Sequence, residues 1–131
     1  MTAGVKAKRR FPSDVLAEFR QSKGLRIRAG TGRHRFIGIW FVVVDDGVFV
    51  RSWSIEPCGW YRTFLEEPRG TVQIAKREIA VRAVRTRDKQ VRDAVDRAYL
   101  DKYNTRGAIK YARDLRSAQS RATTLELRPF A

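Results

Sequence analysis

The strongest constraint on the fold is a hairpin. Ile37 to Val44 is an unbroken apolar run of strand length. Asp45-Asp46-Gly47 follows as a turn signal, and Val48 to Ser54 returns. Strand alternation puts Ile37, Ile39, Phe41 and Val43 on one face of the first arm and Gly38, Trp40, Val42 and Val44 on the other. Both faces are apolar, so this strand is expected to be covered on both sides, by a core and by either a helix or a second subunit. The returning arm sets Phe49, Arg51 and Trp53 on one face.

The surrounding chain reads mostly as further hairpins. A helix is predicted over Ser13–Ser22, with Val15, Leu16 and Phe19 as its apolar stripe and Gly24 as its stop. Leu25–Ala29 alternates apolar and basic residues, as a strand with one solvated face does. Trp60–Glu66 gives two helical turns ended by Pro68. Thr71–Ala75 and Ile79–Arg85 flank the turn Lys76-Arg77-Glu78. Arg87–Tyr103 is the clearest helix, with Val91, Ala94, Val95, Ala98 and Tyr99 in one stripe. Asp88 with Arg92, and Asp93 with Arg97, stand at acid-before-base spacing on its other side. A shorter helix within Gly107–Ser117 and a last strand over Thr123–Arg128 complete the chain. The sum is an α+β, mainly β protein: a six-stranded antiparallel barrel with flanking helices, as one domain over residues 13–131 behind a basic tail of residues 1–12.

Composition narrows the partners. Lys+Arg number 28 against 14 Asp+Glu in 131 residues, a formal charge of +14. Such a balance favours phosphorylated cofactors, nucleic acid or anionic surfaces, and equally describes a plain solvated basic surface. Between Arg20 and Val44 there are six Lys/Arg residues and no acid. No segment reaches the roughly 20 apolar residues of a membrane helix. The basic N-terminus has no apolar segment behind it, so no secretory signal is read. A single cysteine, Cys58, excludes an internal disulfide framework and suits a reducing cytoplasm.

Hydrolytic and metal chemistry find little here. His34 is the only histidine and lies in a basic loop without a neighbouring acid, so neither a His-rich metal site nor a Ser-His-Asp triad is indicated. Cys58 precedes a helix, where a thiolate is stabilised, but an incidental cysteine explains it as well. The candidate site is instead an anion site. The loop Gly30-Thr31-Gly32-Arg33-His34-Arg35 offers glycines for close approach and two forked guanidiniums. Arg51 and Ser52 close the next strand, and hairpin geometry returns them toward that loop. Arg62 stands beside Trp60 and Tyr61, and these rings with Trp53 are either core or a stacking surface for a flat ligand.

These same residues carry a resemblance. Val50-Arg51-Ser52-Trp53, Trp60-Tyr61-Arg62, Asp96 to Tyr103 and Ala122 to Pro129 together resemble the bacterial family catalogued as domain of unknown function 2255, from about Phe19 onward. More distantly, the chain is similar to split β-barrel flavoproteins, both pyridoxamine-phosphate-oxidase-like proteins and deazaflavin-dependent nitroreductases. Thr31-Gly32-Arg33 resembles their Thr-x-Gly-Arg loop in compressed form, and Ser52, Trp60, Tyr61 and Pro68 match the small residue and Trp-Tyr helix that follow. His34-Arg35-Phe36 stands where the deazaflavin enzymes have Lys-Ser-Gly, and Ile55-Glu56 replaces a glycine pair. The resemblance implies a split barrel, an FMN or deazaflavin coenzyme, oxidoreductase chemistry and a homodimer. The cofactor would be held by Arg33, Arg35, Arg51, Ser52, Trp53, Trp60, Tyr61 and Arg62. A basic nucleic-acid-binding protein and a barrel without cofactor are the alternative readings.

Overall fold

The computed structural model describes residues 10–32, 35–56 and 59–130. Helix α1 (Ser13–Gln21) leads into strands β1 (Leu25–Ala29), β2 (Ile37–Ile39), β3 (Val42–Val44) and β4 (Gly47–Val50). Helix α2 (Trp60–Glu66) precedes β5 (Arg69–Ile74) and β6 (Arg77–Arg85). Helices α3 (Lys89–Lys102), α4 (Ile109–Asp114) and α5 (Ala118–Ala122) come before β7 (Leu125–Pro129). The strands form one antiparallel sheet of order β2-β1-β5-β6-β7-β4-β3.

The two end strands of that sheet are consecutive in the chain, which explains both the curl and the strand number. The predicted strand Ile37–Val44 breaks at Trp40-Phe41. Its first half pairs with β1, Leu25 opposite Ile39. Its second half pairs with β4, Val42 opposite Phe49. One bent strand thus joins both edges of a curled sheet, and the six expected strands become seven. The β3–β4 turn places Asp45 (φ 48°) and Asp46 (φ 65°) in the left-handed region, as a two-residue hairpin of primed type requires. The β5–β6 turn is also two residues long, since Ile74 faces Arg77. It uses Ala75 and Lys76 rather than the expected Lys76-Arg77-Glu78, with Ala75 at φ 52°.

The sheet separates two apolar clusters. Inside the curl lie Ile27, Val50, Val72, Val81, Leu125 and Leu127, closed off by Phe19 of α1 and by Tyr61 and Phe64 of α2. Phe11, within the stretch read as tail, is 4% exposed in this cluster. The rest of the proposed tail, residues 1–9, lies outside the described residues. On the opposite side, Val42 and Phe49 pack against Val95, Tyr99 and Tyr103 at α3, together with Ala112 and Leu115. The two-faced apolarity of Ile37–Val44 is therefore met by core on one side and, along β3, by α3 on the other.

Two details of the helices differ from expectation. Asp88 does not pair along α3 with Arg92: it caps the helix, its carboxylate accepting from the amides of Gln90 (2.8 Å) and Val91 (3.2 Å). Gly107–Ser117 holds the expected shorter helix as α4, and the difference is the additional helix α5 that follows it. The chain turns at Leu115-Arg116, and Ser117 caps a second helix by accepting from the Ser120 amide. Tyr111 is 47% exposed, and the buried contacts of this region come from Ala112 and Leu115. No helix among the described residues is long and apolar enough to cross a membrane.

A candidate anion-binding face

Arg51 is positioned by its strand's parity. Val50 points into the curl, so Arg51 points outward, beneath α3. There it is 2% exposed and fully occupied. Its Nε donates to Thr124 Oγ1 (2.8 Å), Nη1 to the Leu115 carbonyl (2.9 Å) and Nη2 to the Arg92 carbonyl (2.9 Å). Nη1 also forms an ion pair with Asp96. Burial holds the guanidinium pKa below its ordinary value, and Asp96 opposes that shift. Ser52 is equally enclosed: its amide donates to Thr123 Oγ1 (2.8 Å) and its carbonyl accepts from Ser120 Oγ (3.0 Å).

The other predicted site residues that lie among the described residues do not converge on this pair. Arg33 and Cys58 lie outside the described residues. Arg35 and Arg62 are exposed. Trp53, 43% exposed, meets Trp40 edge-on at 5.5 Å, and its indole Nε1 donates to the Tyr111 carbonyl (3.4 Å). Trp60 and Tyr61 belong to the separate ring cluster with Phe64 inside the curl. The geometric expectation that Arg51 and Ser52 return to the Gly30–Arg35 loop is thus corrected: the return brings Trp53 to Trp40. Arg51 is a structural cation, because an acid on α3 and three oxygen acceptors already surround it.

The structure assembles a different group of arginines. On the outer sheet face, Arg69, Arg82 and Arg128 stand directly opposite one another across β5, β6 and β7. The next row holds Arg28, Thr71 and Ala80 across β1, β5 and β6. Adjacent strands are about 4.8 Å apart, so these guanidiniums are near neighbours. The Phe130 ring lies between two of them, 4.7 Å from Arg69 and 5.4 Å from Arg82. Phe36 lies 4.6 Å under Arg28. Like charges placed directly opposite oppose pairing. Glu126 relieves one of them, accepting from Arg128 at 3.0 Å. Arg128 Nε is buried and has no partner among the described residues.

A cleft of about 320 Å³ opens among these residues, lined by Arg28, Gly30, Thr31, Arg69, Thr71 and Phe130. Gly30 takes φ 79°, and its amide donates to the Arg69 carbonyl (2.7 Å), so it fixes the rim and is not itself an anion donor. Gly70 forms part of the floor. A Cβ there would meet the Arg28 carbonyl and the Phe64 ring at 2.7 Å each. Sequence reasoning passed over Arg28, Arg69, Arg82 and Phe130. Their only signal was basic residues alternating with apolar ones, as in Val81-Arg82-Ala83, which any solvated strand shares. Among the described residues, no group of three His, Cys, Asp or Glu side chains is placed to hold a metal ion.

A curled antiparallel sheet joined edge to edge by one bent strand, with helices against both faces, defines a split β-barrel protein. The chain belongs to the bacterial family described as "Uncharacterized protein conserved in bacteria (DUF2255)", whose model matches residues 16–127. Among solved structures it is similar to the heme storage protein HutZ of Vibrio cholerae, at TM-score 0.68 and 17% identity, over 93% of this chain and 92% of that one. It is also similar to a conserved hypothetical protein of Mycobacterium tuberculosis, at TM-score 0.60 and 11% identity, over 96% and 84% of the two chains. A putative pyridoxamine 5'-phosphate oxidase of Listeria innocua has TM-score 0.60 and 13% identity, over 90% and 92%. No curated protein matches the sequence.

Proposed function

We propose that the protein binds a flat-ringed, phosphate-bearing cofactor of the flavin mononucleotide or deazaflavin class on its arginine face. Any redox turnover would then reside in the cofactor, with the chain binding and orienting it. The observation that carries this reading is the in-register row Arg69–Arg82–Arg128, in which Glu126 is the one carboxylate among the described residues that forms an ion pair with a guanidinium of the row. A phosphate seated on that row would relieve the repulsion and take forked, charge-assisted hydrogen bonds. Phe130 and Phe36 supply apolar surface for a ring. The exposed loop residue Arg35 stands one position before Phe36 and extends the cationic rim. The fold supports the reading through two similar structures, named for heme and for pyridoxamine 5'-phosphate, both flat anionic molecules.

The same reading includes a homodimer. Ile37, Trp53 and Ile55 are 45%, 43% and 45% exposed, apolar surface that a second copy would cover.

Titration with flavin mononucleotide, a deazaflavin coenzyme and hemin, followed by absorbance and fluorescence, tests the ligand. Binding of one of them is expected at a Kd on the order of micromolar. Each charge-assisted contact is worth roughly 1.5–3 kcal/mol. Arg82→Ala should therefore weaken binding about ten- to a hundredfold. Absence of binding below millimolar concentration for all three overturns the reading.

A further inference from the structure

The arginine face extends past the cleft. Arg26 lies two residues before Arg28 on the same face of β1, opposite Gln73, and is exposed. A cationic track therefore crosses four adjacent strands, from Arg26 and Arg28 through Arg69 and Arg82 to Arg128. Rings are set within it: Phe36 under Arg28, and Phe130 between Arg69 and Arg82. Among the described residues, no helix packs extensively on β5 or β6, since α2 reaches β1 and both α1 and α3 reach β3. Among the described residues, the carboxylates near this face are Glu126, engaged by Arg128, Glu78 at the margin opposite Gln73, and Glu67, which accepts from the Arg69 amide (3.3 Å).

We infer that this face binds single-stranded nucleic acid, with phosphates on Arg28, Arg69 and Arg82 and bases against Phe130 and Phe36. Charge complementarity selects a polyanion, because three guanidiniums in two neighbouring rows, without an ion pair among the described residues, exceed what one phosphate needs. The rings select a single strand. Each ring lies under a guanidinium, at 4.6 Å for Phe36 and 4.7 Å for Phe130, so a phosphate held by the arginine brings a splayed base within reach of the ring, whereas a paired base stays in its stack. A sheet face without a protruding helix or ribbon also has nothing to enter a duplex groove. The inference uses arginines of the cofactor reading but does not depend on it, since polyanion binding requires no ring-shaped cleft.

Fluorescence anisotropy of the full chain with a labelled oligothymidylate of about 15 nucleotides, against a duplex of equal length, provides the test. The single strand should bind more tightly. With three phosphate contacts, log K should fall against log salt with a slope of about −2. Arg69→Ala or Arg82→Ala should weaken binding about fivefold and reduce the slope by about 0.7. Phe130→Ala should weaken binding about fivefold with the slope unchanged. Arg113→Ala and Arg116→Ala remove exposed arginines outside the face and should change nothing. Equal weakening by these two variants would trace binding to diffuse charge and overturn the inference, as would a preference for duplex or no binding at low salt. A flavin titration of the same samples separates the two readings: failure there with oligonucleotide binding retained removes only the cofactor reading.

Discussion

The Arg51 guanidinium and the Asp96 carboxylate form an ion pair in which the arginine side chain is wholly shielded from solvent. The second Asp96 oxygen is held by Arg121, which also reaches Asp93 at 3.0 Å. One network thus ties the end of β4 to α3 and α5. Removing one partner leaves a buried charge uncompensated, at a cost of about 3–5 kcal/mol. Asp96→Ala, which strands the shielded Arg51 cation, should lose that much stability in urea unfolding, while Arg51→Met with Asp96→Leu should recover part of it. A loss below about 1 kcal/mol would mean that the network contributes little.

The arginine row makes the opposite prediction. Arg82 faces Arg69 on one side and Arg128 on the other. Arg82→Ala should leave the fold unchanged or stabilise it, by about 0.2–1 kcal/mol at low ionic strength. The gain should vanish in molar salt, where screening acts within about 3 Å. Thermal melts at two salt concentrations read the difference.

Gly70 answers to packing. A methyl group there would press on the β1 backbone and the Phe64 ring. Gly70→Ala should cost about 1–3 kcal/mol. Ala80, exposed one row away on β6, should accept Ser at little cost. Equal effects at the two positions would contradict the close approach of β1, β5 and α2.

Lys102 gives a pH dependence. Burial lowers its pKa to about 8, although its Nζ donates to the Phe41 carbonyl (2.9 Å) and lies 3.4 Å from the Phe41 ring centre. A lysine depressed in the folded state binds its proton less tightly there than in the unfolded chain. Its contribution therefore opposes folding below pH 8 and is relieved as pH rises toward the unfolded value of about 10.4. Tyr103, raised to about 12 by burial, acts in the other direction above pH 10. Between pH 8 and 10, unfolding free energy should rise more steeply for the parent than for Lys102→Met. Parallel curves would contradict the depressed lysine.

The hairpin, the α1 and α3 stripes and the barrel were legible because local periodicity encodes them. Val95 and Tyr99 at four-residue spacing are both fully buried. The break at Trp40-Phe41 was not legible, since a strand that changes partners keeps its period of two. Arg51 misled for a related reason. Seen between Phe49 and Trp53 it lacked an acid, and its acid, Asp96, lies 45 residues downstream. The arginine face stayed hidden because Arg28, Arg69, Arg82 and Arg128 occupy four strands, and only register brings them into adjacent rows. Neither Arg69 nor Arg82 stands out from an ordinary solvated strand until its opposite neighbour is known.

Backbone amide chemical-shift mapping during titration with flavin mononucleotide tests the location of the site most directly. The account predicts shifts concentrated at Arg28, Thr71, Ala80, Arg82 and Phe130, on the outer sheet face. Shifts concentrated instead at Ser52, Trp53 and Trp60, with the arginine face silent, would contradict it.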